Sequence, residues 1–186
     1  MSDDLFRDGI INLHTRQFGR VVELIVQLLK DYQDSHRLDF DLFDPATSMN
    51  IEVKSSRVFK KQSLQFDLDH LYELIMNHSN RDRLLKQTQA TSSEFDCNIQ
   101  QIKIDLFDSL YYLLFFYDVI EIFRINNNQI KNDRNLNYSH KQHRGNKGEG
   151  QFHVNQSNYQ YHKDHYFIQS LTYEQLKRML LNRRTT

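Results

Sequence analysis

The chain has 186 residues, of which 39% are hydrophobic and 12% aromatic, enough for one hydrophobic core and too many for global disorder. Its one proline, Pro45, argues against modules strung on Pro-rich linkers, and its one cysteine, Cys97, excludes an internal disulfide or a cysteine zinc cage. Lys+Arg and Asp+Glu both number 24, so the basic excess of a protein that holds nucleic acid unaided is missing, and any such affinity must come from a local patch or a partner.

The opening Met1-Ser2-Asp3-Asp4 lacks the basic stretch of a signal peptide. The longest aromatic-aliphatic run, 110–117, is far shorter than the roughly 20 residues of a bilayer span. A soluble, cytoplasmic chain without a membrane partner is expected.

Phe18, Val21, Val22, Ile25, Leu28 and Leu29 recur at helical spacing and predict a helix over 15–30. A polar break to Arg37 follows. Leu38-Phe40-Leu42 then alternates with polar positions, Asp44-Pro45 starts a turn, and 50–58 resumes strand character, so 38–58 reads as one β-hairpin. A third strand is expected around 64–68, then a helix over about 70–86 capped by Asp67 or Asp69. Residues 99–114 fit helix or strand, and 117–125, richer in β-branched residues, fits a strand. The polar stretch 126–164 reads as a long loop or irregular hairpin. A short strand at 166–169 and a helix opened by Thr172, with Gln175 completing a capping box, end the chain. The expected fold class is α/β: a single domain over 1–186 with a central mixed sheet flanked by helices.

The chemistry concentrates in the hairpin. A four-residue turn at 45–48 sets Asp44 opposite Met49, Asp41 opposite Glu52 and Asp39 opposite Lys54. Asp39, Asp41, Glu52 and Lys54 then share one face, and Phe40, Leu42, Ile51 and Val53 the other. Two facing carboxylates repel unless a cation lies between them, and hard oxygen ligands suit Mg²⁺. Lys54 would orient a water or stabilise charge on a reacting phosphate. Val53 would pack into the core and offer its carbonyl to the metal. Glu23, alone in the apolar run 21–26, is costly to bury unless it is used.

The order Asp41-Leu42 followed by Ile51-Glu52-Val53-Lys54-Ser55-Ser56 resembles the D…ExK signature of restriction-endonuclease-like (PD-(D/E)xK) nucleases. The run Phe18-Gly19-Arg20-Val21-Val22-Glu23-Leu24 and the whole length resemble the small subunit of heterodimeric Type IIS restriction endonucleases of the nicking family, in which lysine need not follow Glu-Val. The resemblance implies a restriction-endonuclease-like core and Mg²⁺-dependent cleavage of one strand of double-stranded DNA beside a larger nicking subunit that recognises the site. It also implies Asp41, Glu52 and Lys54 as catalytic, Glu23, Asp41, Glu52 and Val53 around the metal, and His70 as a further catalytic candidate, with Gln65 beside them. The rival readings are a stand-alone repair or junction endonuclease of the same fold and a catalytically idle binding module.

Other residues carry blander readings. Asp44 before Pro45 is a turn residue. His140, His143, His153, His162 and His165 form no metalloprotease pattern and read as solvated loop. Lys177, Arg178, Arg183 and Arg184 either touch phosphate or balance the dipole of the last helix.

Overall fold

A computed structural model describes residues 2–61, 67–73, 80–141 and 148–183. Two helices open the chain, α1 (Asp3–Ile11) and α2 (Thr15–Lys30). The bounds of α2 are those its apolar period predicts, and Asp31 ends it in the left-handed region at φ 57°. The sequence pattern does not reveal α1, which Ser2 caps by accepting the Leu5 amide. Strands β1 (Gln33–Asp34), β2 (Leu42–Asp44) and β3 (Met49–Arg57) follow, then, after a helical turn at Asn80–Arg83, β4 (Asp96–Ile102), β5 (Ser109–Phe115) and β6 (Val119–Asn126).

The hairpin register is as counted: Asp44 pairs with Met49, Phe43 with Asn50 and Leu42 with Ile51. Its first strand is shorter than expected. Leu38 is exposed, Asp39 lies in a bend beside Arg37, and pairing begins only at Leu42. The Asp41 carboxylate takes the Val53 amide at 2.8 Å, which a longer β2 would have held, so the ladder stops there. Asp44 is a turn residue, accepting from the Ala46 amide and the Thr47 hydroxyl.

Among the described residues a six-stranded sheet runs β1-β2-β3-β5-β6-β8, its last strand being β8 (Phe167–Thr172), with β3 and β5 parallel and the other pairs antiparallel. All seven residues of β5 are buried, because both faces of this central strand are covered. Ile51, Val53, Tyr111, Leu113 and Phe115 face Phe18, Val22, Ile25 and Val26 of α2, whereas Leu110, Tyr112 and Leu114 face the opposite core. Phe40 joins that opposite core and not the one that holds Leu42, because the chain is no longer in strand geometry at that point.

Among its described residues the stretch 126–164 is not one long loop. It contains α3 (Asn127–Asn132), β7 (Gly150–Asn155) and α4 (Tyr159–Tyr166). Phe152, Val154, Tyr159 and Tyr166 anchor it, since β7 pairs with β4 in a second sheet against the core. His162 is fully buried rather than solvated. Its Nδ1 lies 2.8 Å from the Tyr112 hydroxyl, and burial pushes its pKa down to about 4. His143 and Arg184 lie outside the described residues, as does most of the expected third strand. Of the helix expected over 70–86, residues 71–73 and Asn80–Arg83 are helical, 74–79 lie outside the described residues, and Leu84 bridges to Phe59.

Strand β8 (Phe167–Thr172) and helix α5 (Tyr173–Asn182) finish the fold, with Thr172 and Gln175 forming the predicted capping box. Lys177 pairs with Asp3 and Arg178 with Glu174. The fold is α/β, a mixed central sheet flanked by helices. Among the described residues no helix is long and apolar enough to cross a membrane.

Candidate active site

Because β2 stops at Leu42, the edge of β3 from Val53 onward is open, and a cleft of about 820 Å³ lies along it between α2 and β4. Glu23, Asp41, Val53 and Lys54 line it. The Val53 amide points to this edge, and a strand residue's N–H and C=O project to the same side, so its carbonyl faces the edge as well. The structure therefore brings Glu23 from α2, Asp41 from the entry to β2, and Val53 and Lys54 from β3 to the cleft; Glu52 of β3 does not line it and joins the group through the Lys54 ammonium that it holds.

Glu52 is 7% exposed, and its Oε1 accepts from the Lys54 ammonium. Burial drives its pKa up to about 7; Lys54 pulls it back and the charge of Asp41 adds to the rise. For Lys54, burial lowers the pKa, but the attraction of Glu52 and Asp41 outweighs it and holds the ammonium protonated. Glu23 is also raised by burial and by Asp41, against an Arg20 hydrogen bond of 2.7 Å. The charge of Asp41 is thus felt by both Glu23 and Glu52, with Arg20 and Lys54 as the compensating cations. Glu121 on β6 shows the contrasting structural case. It is more deeply buried, but both its oxygens are satisfied, by Tyr159 and Lys163 at 2.7 Å each.

This donor set fits a hard divalent cation. Asp41, Glu52 and the Val53 carbonyl supply oxygens only, and Mg²⁺ takes one or two carboxylates while keeping several waters. Among the described residues no three acidic, His or Cys side chains stand pre-gathered as a metal cage, because Glu23 is turned to Arg20, Glu52 to Lys54 and Asp41 to the Val53 amide. Occupancy would draw Asp41 and Glu52 from these partners.

Two expected neighbours are not brought in. Asp39 is exposed beside Arg37 at 3.6 Å, not opposite Lys54. His70 is exposed, and both its amide and its Nδ1 are held by Asp67, at 3.0 and 2.7 Å; it serves the local turn and does not line the cleft. Gln65 lies outside the described residues.

Sequence periodicity does not single out the cations of the cleft. Arg16 and Arg20 come from α2, Arg57 and Lys60 from the end of β3 and just beyond, and Arg83 from the turn behind it. The only local signal is the succession of basic residues at 54, 57, 60 and 61. These side chains form the local basic patch that a neutral chain needs if it is to meet a polyanion. No protein-family model, no curated protein and no solved structure matches this chain, so the chemistry of the cleft rests on its own residues.

Proposed function

We propose that the chain is a Mg²⁺-dependent endonuclease subunit with a restriction-endonuclease-like core that hydrolyses one strand of double-stranded DNA in the cytoplasm. The carrying observation is that Asp41 and Lys54 line the open edge of β3 with Glu52 held on Lys54 beside them, two carboxylates sharing one lysine. Asp41, Glu52 and the Val53 carbonyl would hold the metal, with Glu23 behind them. A bound Mg²⁺ supplies Lewis-acid polarisation and a more acidic water. Lys54, kept charged by its carboxylate neighbours, would hold the attacking water in line and offset charge developing on the phosphate oxygens.

The partner of this reading is a larger nicking subunit that recognises the DNA. Net charge of zero supports it, since few phosphates can be neutralised outside the cleft. So do the exposed Leu5, Leu24 and Leu180 around an apolar groove between α1, α2 and α5, a surface of the kind that subunits bury. The cationic cleft favours a second reading, a stand-alone nuclease that grips the backbone without reading bases. Incubation with supercoiled plasmid and Mg²⁺, with and without the candidate large subunit, tests both. The subunit reading expects defined cleavage only with the partner. Efficient Mg²⁺-dependent nicking by the chain alone selects the second reading, and cleavage in neither case refutes both.

A further inference from the structure

Beyond the acids, the cleft continues to a cationic end with a different task. Arg57 is the last residue of β3, and a strand rises about 3.3 Å per residue, which puts it about 10 Å past Lys54. Its guanidinium lies 3.7 Å from the centroid of the Phe18 ring, and Nη2 donates to the Leu13 carbonyl at 2.7 Å. Arg83 lies over the Phe59 ring at 4.7 Å, and its carbonyl accepts the Lys60 amide at 2.9 Å, joining the two segments. These cations are held by rings and backbone, not by acids.

Every Asp and Glu of the sequence lies among the described residues, and none of them forms an ion pair with Arg16, Arg57, Lys60 or Arg83. Elsewhere in the chain, Arg7 sits between Asp4 and Asp8, and Arg20 between Glu23 and Asp34. Among the described residues the Nε atoms of Arg57 and Arg83 are buried without a hydrogen-bond partner. Burial lowers the pKa of Arg57, with no counter-charge to offset it. A half-buried guanidinium with no counter-charge beside it is costly, and an anion brought next to it relieves that cost.

We propose that Arg57, Arg83 and Lys60 form a phosphate-binding subsite that seats a backbone phosphate of the polynucleotide other than the one hydrolysed beside Lys54. Planar guanidinium forks match phosphate oxygens, and the exposed Lys60 adds a mobile point charge. One cleft lines both ends, so a single strand spans them, and the 10 Å separation lies beyond the reach of the hydrolysed phosphate itself. That the anion belongs to a nucleic acid rests on the nuclease reading; that the subsite takes an anion does not.

Fluorescence anisotropy of a short labelled DNA duplex, in metal-free buffer so that nothing is cut, tests the subsite. The full chain is compared with Arg57→Gln, Arg57→Lys and the double variant Lys60→Gln/Arg83→Gln, each checked for folding by circular dichroism. The double variant avoids the Phe18 stack and keeps the test sound if Arg57→Gln fails to fold. The expected result is about tenfold weaker binding at low salt and a log affinity–log salt slope shallower by about one to two for the double variant. Arg57→Lys should fall between wild type and Arg57→Gln. Unchanged affinity and slope in the folded double variant, or no measurable binding by the wild type at low salt, overturns the subsite. If plasmid hydrolysis is never observed but the variants still lose salt-dependent binding, the subsite stands and the nuclease reading falls. If hydrolysis is observed and the variants bind as wild type, the reverse holds.

Discussion

The Asp41 carboxylate accepts the Val53 amide at 2.8 Å, so one acid both ends the β2–β3 ladder and stands at the open edge where Glu52 and Lys54 meet. Its two roles can be separated. Asp41→Asn keeps an oxygen to accept the Val53 amide but removes the charge, whereas Asp41→Ala loses both. We expect Asn to leave folding within about 0.5 kcal/mol and Ala to cost about 1 kcal/mol more. Both should lose cleavage. Wild-type cleavage by Asp41→Asn would place the metal elsewhere.

Lys54→Ala should reduce the cleavage rate by about 10²–10³-fold, the scale of losing one charge-stabilising group. The fold should survive, because Glu52, already near pH 7, can protonate when its cation is gone. Two-dimensional NMR of the Glu52 carboxyl should show its pKa rising further. A variant that cuts normally at saturating Mg²⁺ removes Lys54 from the mechanism.

The Glu52 pKa also sets a pH dependence. Between its ordinary 4.5 and about 7, the folded chain keeps a proton that the unfolded chain releases. Its contribution to stability is therefore full below the lower value and is lost as pH rises through the upper one. The window holds up to about 3 kcal/mol. Urea denaturation from pH 4 to pH 8 should show the loss in the wild type and a flatter profile in Glu52→Gln. Mg²⁺ competes with the same proton, so Mg²⁺-dependent cleavage should rise with pH through this window. Parallel stability profiles for the two proteins would show that Glu52 titrates normally.

Glu23→Gln should raise the Mg²⁺ concentration for half-maximal cleavage by about 10–100-fold, as loss of a supporting carboxylate does. Stability should change little, since Arg20 retains Asp34. Unchanged Mg²⁺ dependence would make Glu23 a structural residue of α2.

What the sequence determined by itself is local. The apolar period of α2, the Thr172–Gln175 capping box and the Asp44–Met49 register all follow from neighbours a few residues apart, where helical spacing, side-chain caps and turn length act directly. Glu52 and Lys54 share a face for the same reason. Tertiary structure decided where β2 stops, because the Asp41 side chain competes with a backbone bond for the Val53 amide. It also converted the polar stretch 126–164 into β7 and α4, since a few apolar residues gain more by burial against β4 and β5 than their polar neighbours lose. The cationic end of the cleft had only a slight linear signature, the basic residues at 57, 60 and 61. Arg16, Arg57 and Arg83 come from three segments, and only packing of α2 and the 80–83 turn around the end of β3 brings their charges together. A charge count of zero says nothing of such a patch, because electrostatic attraction depends on distance in space and not along the chain.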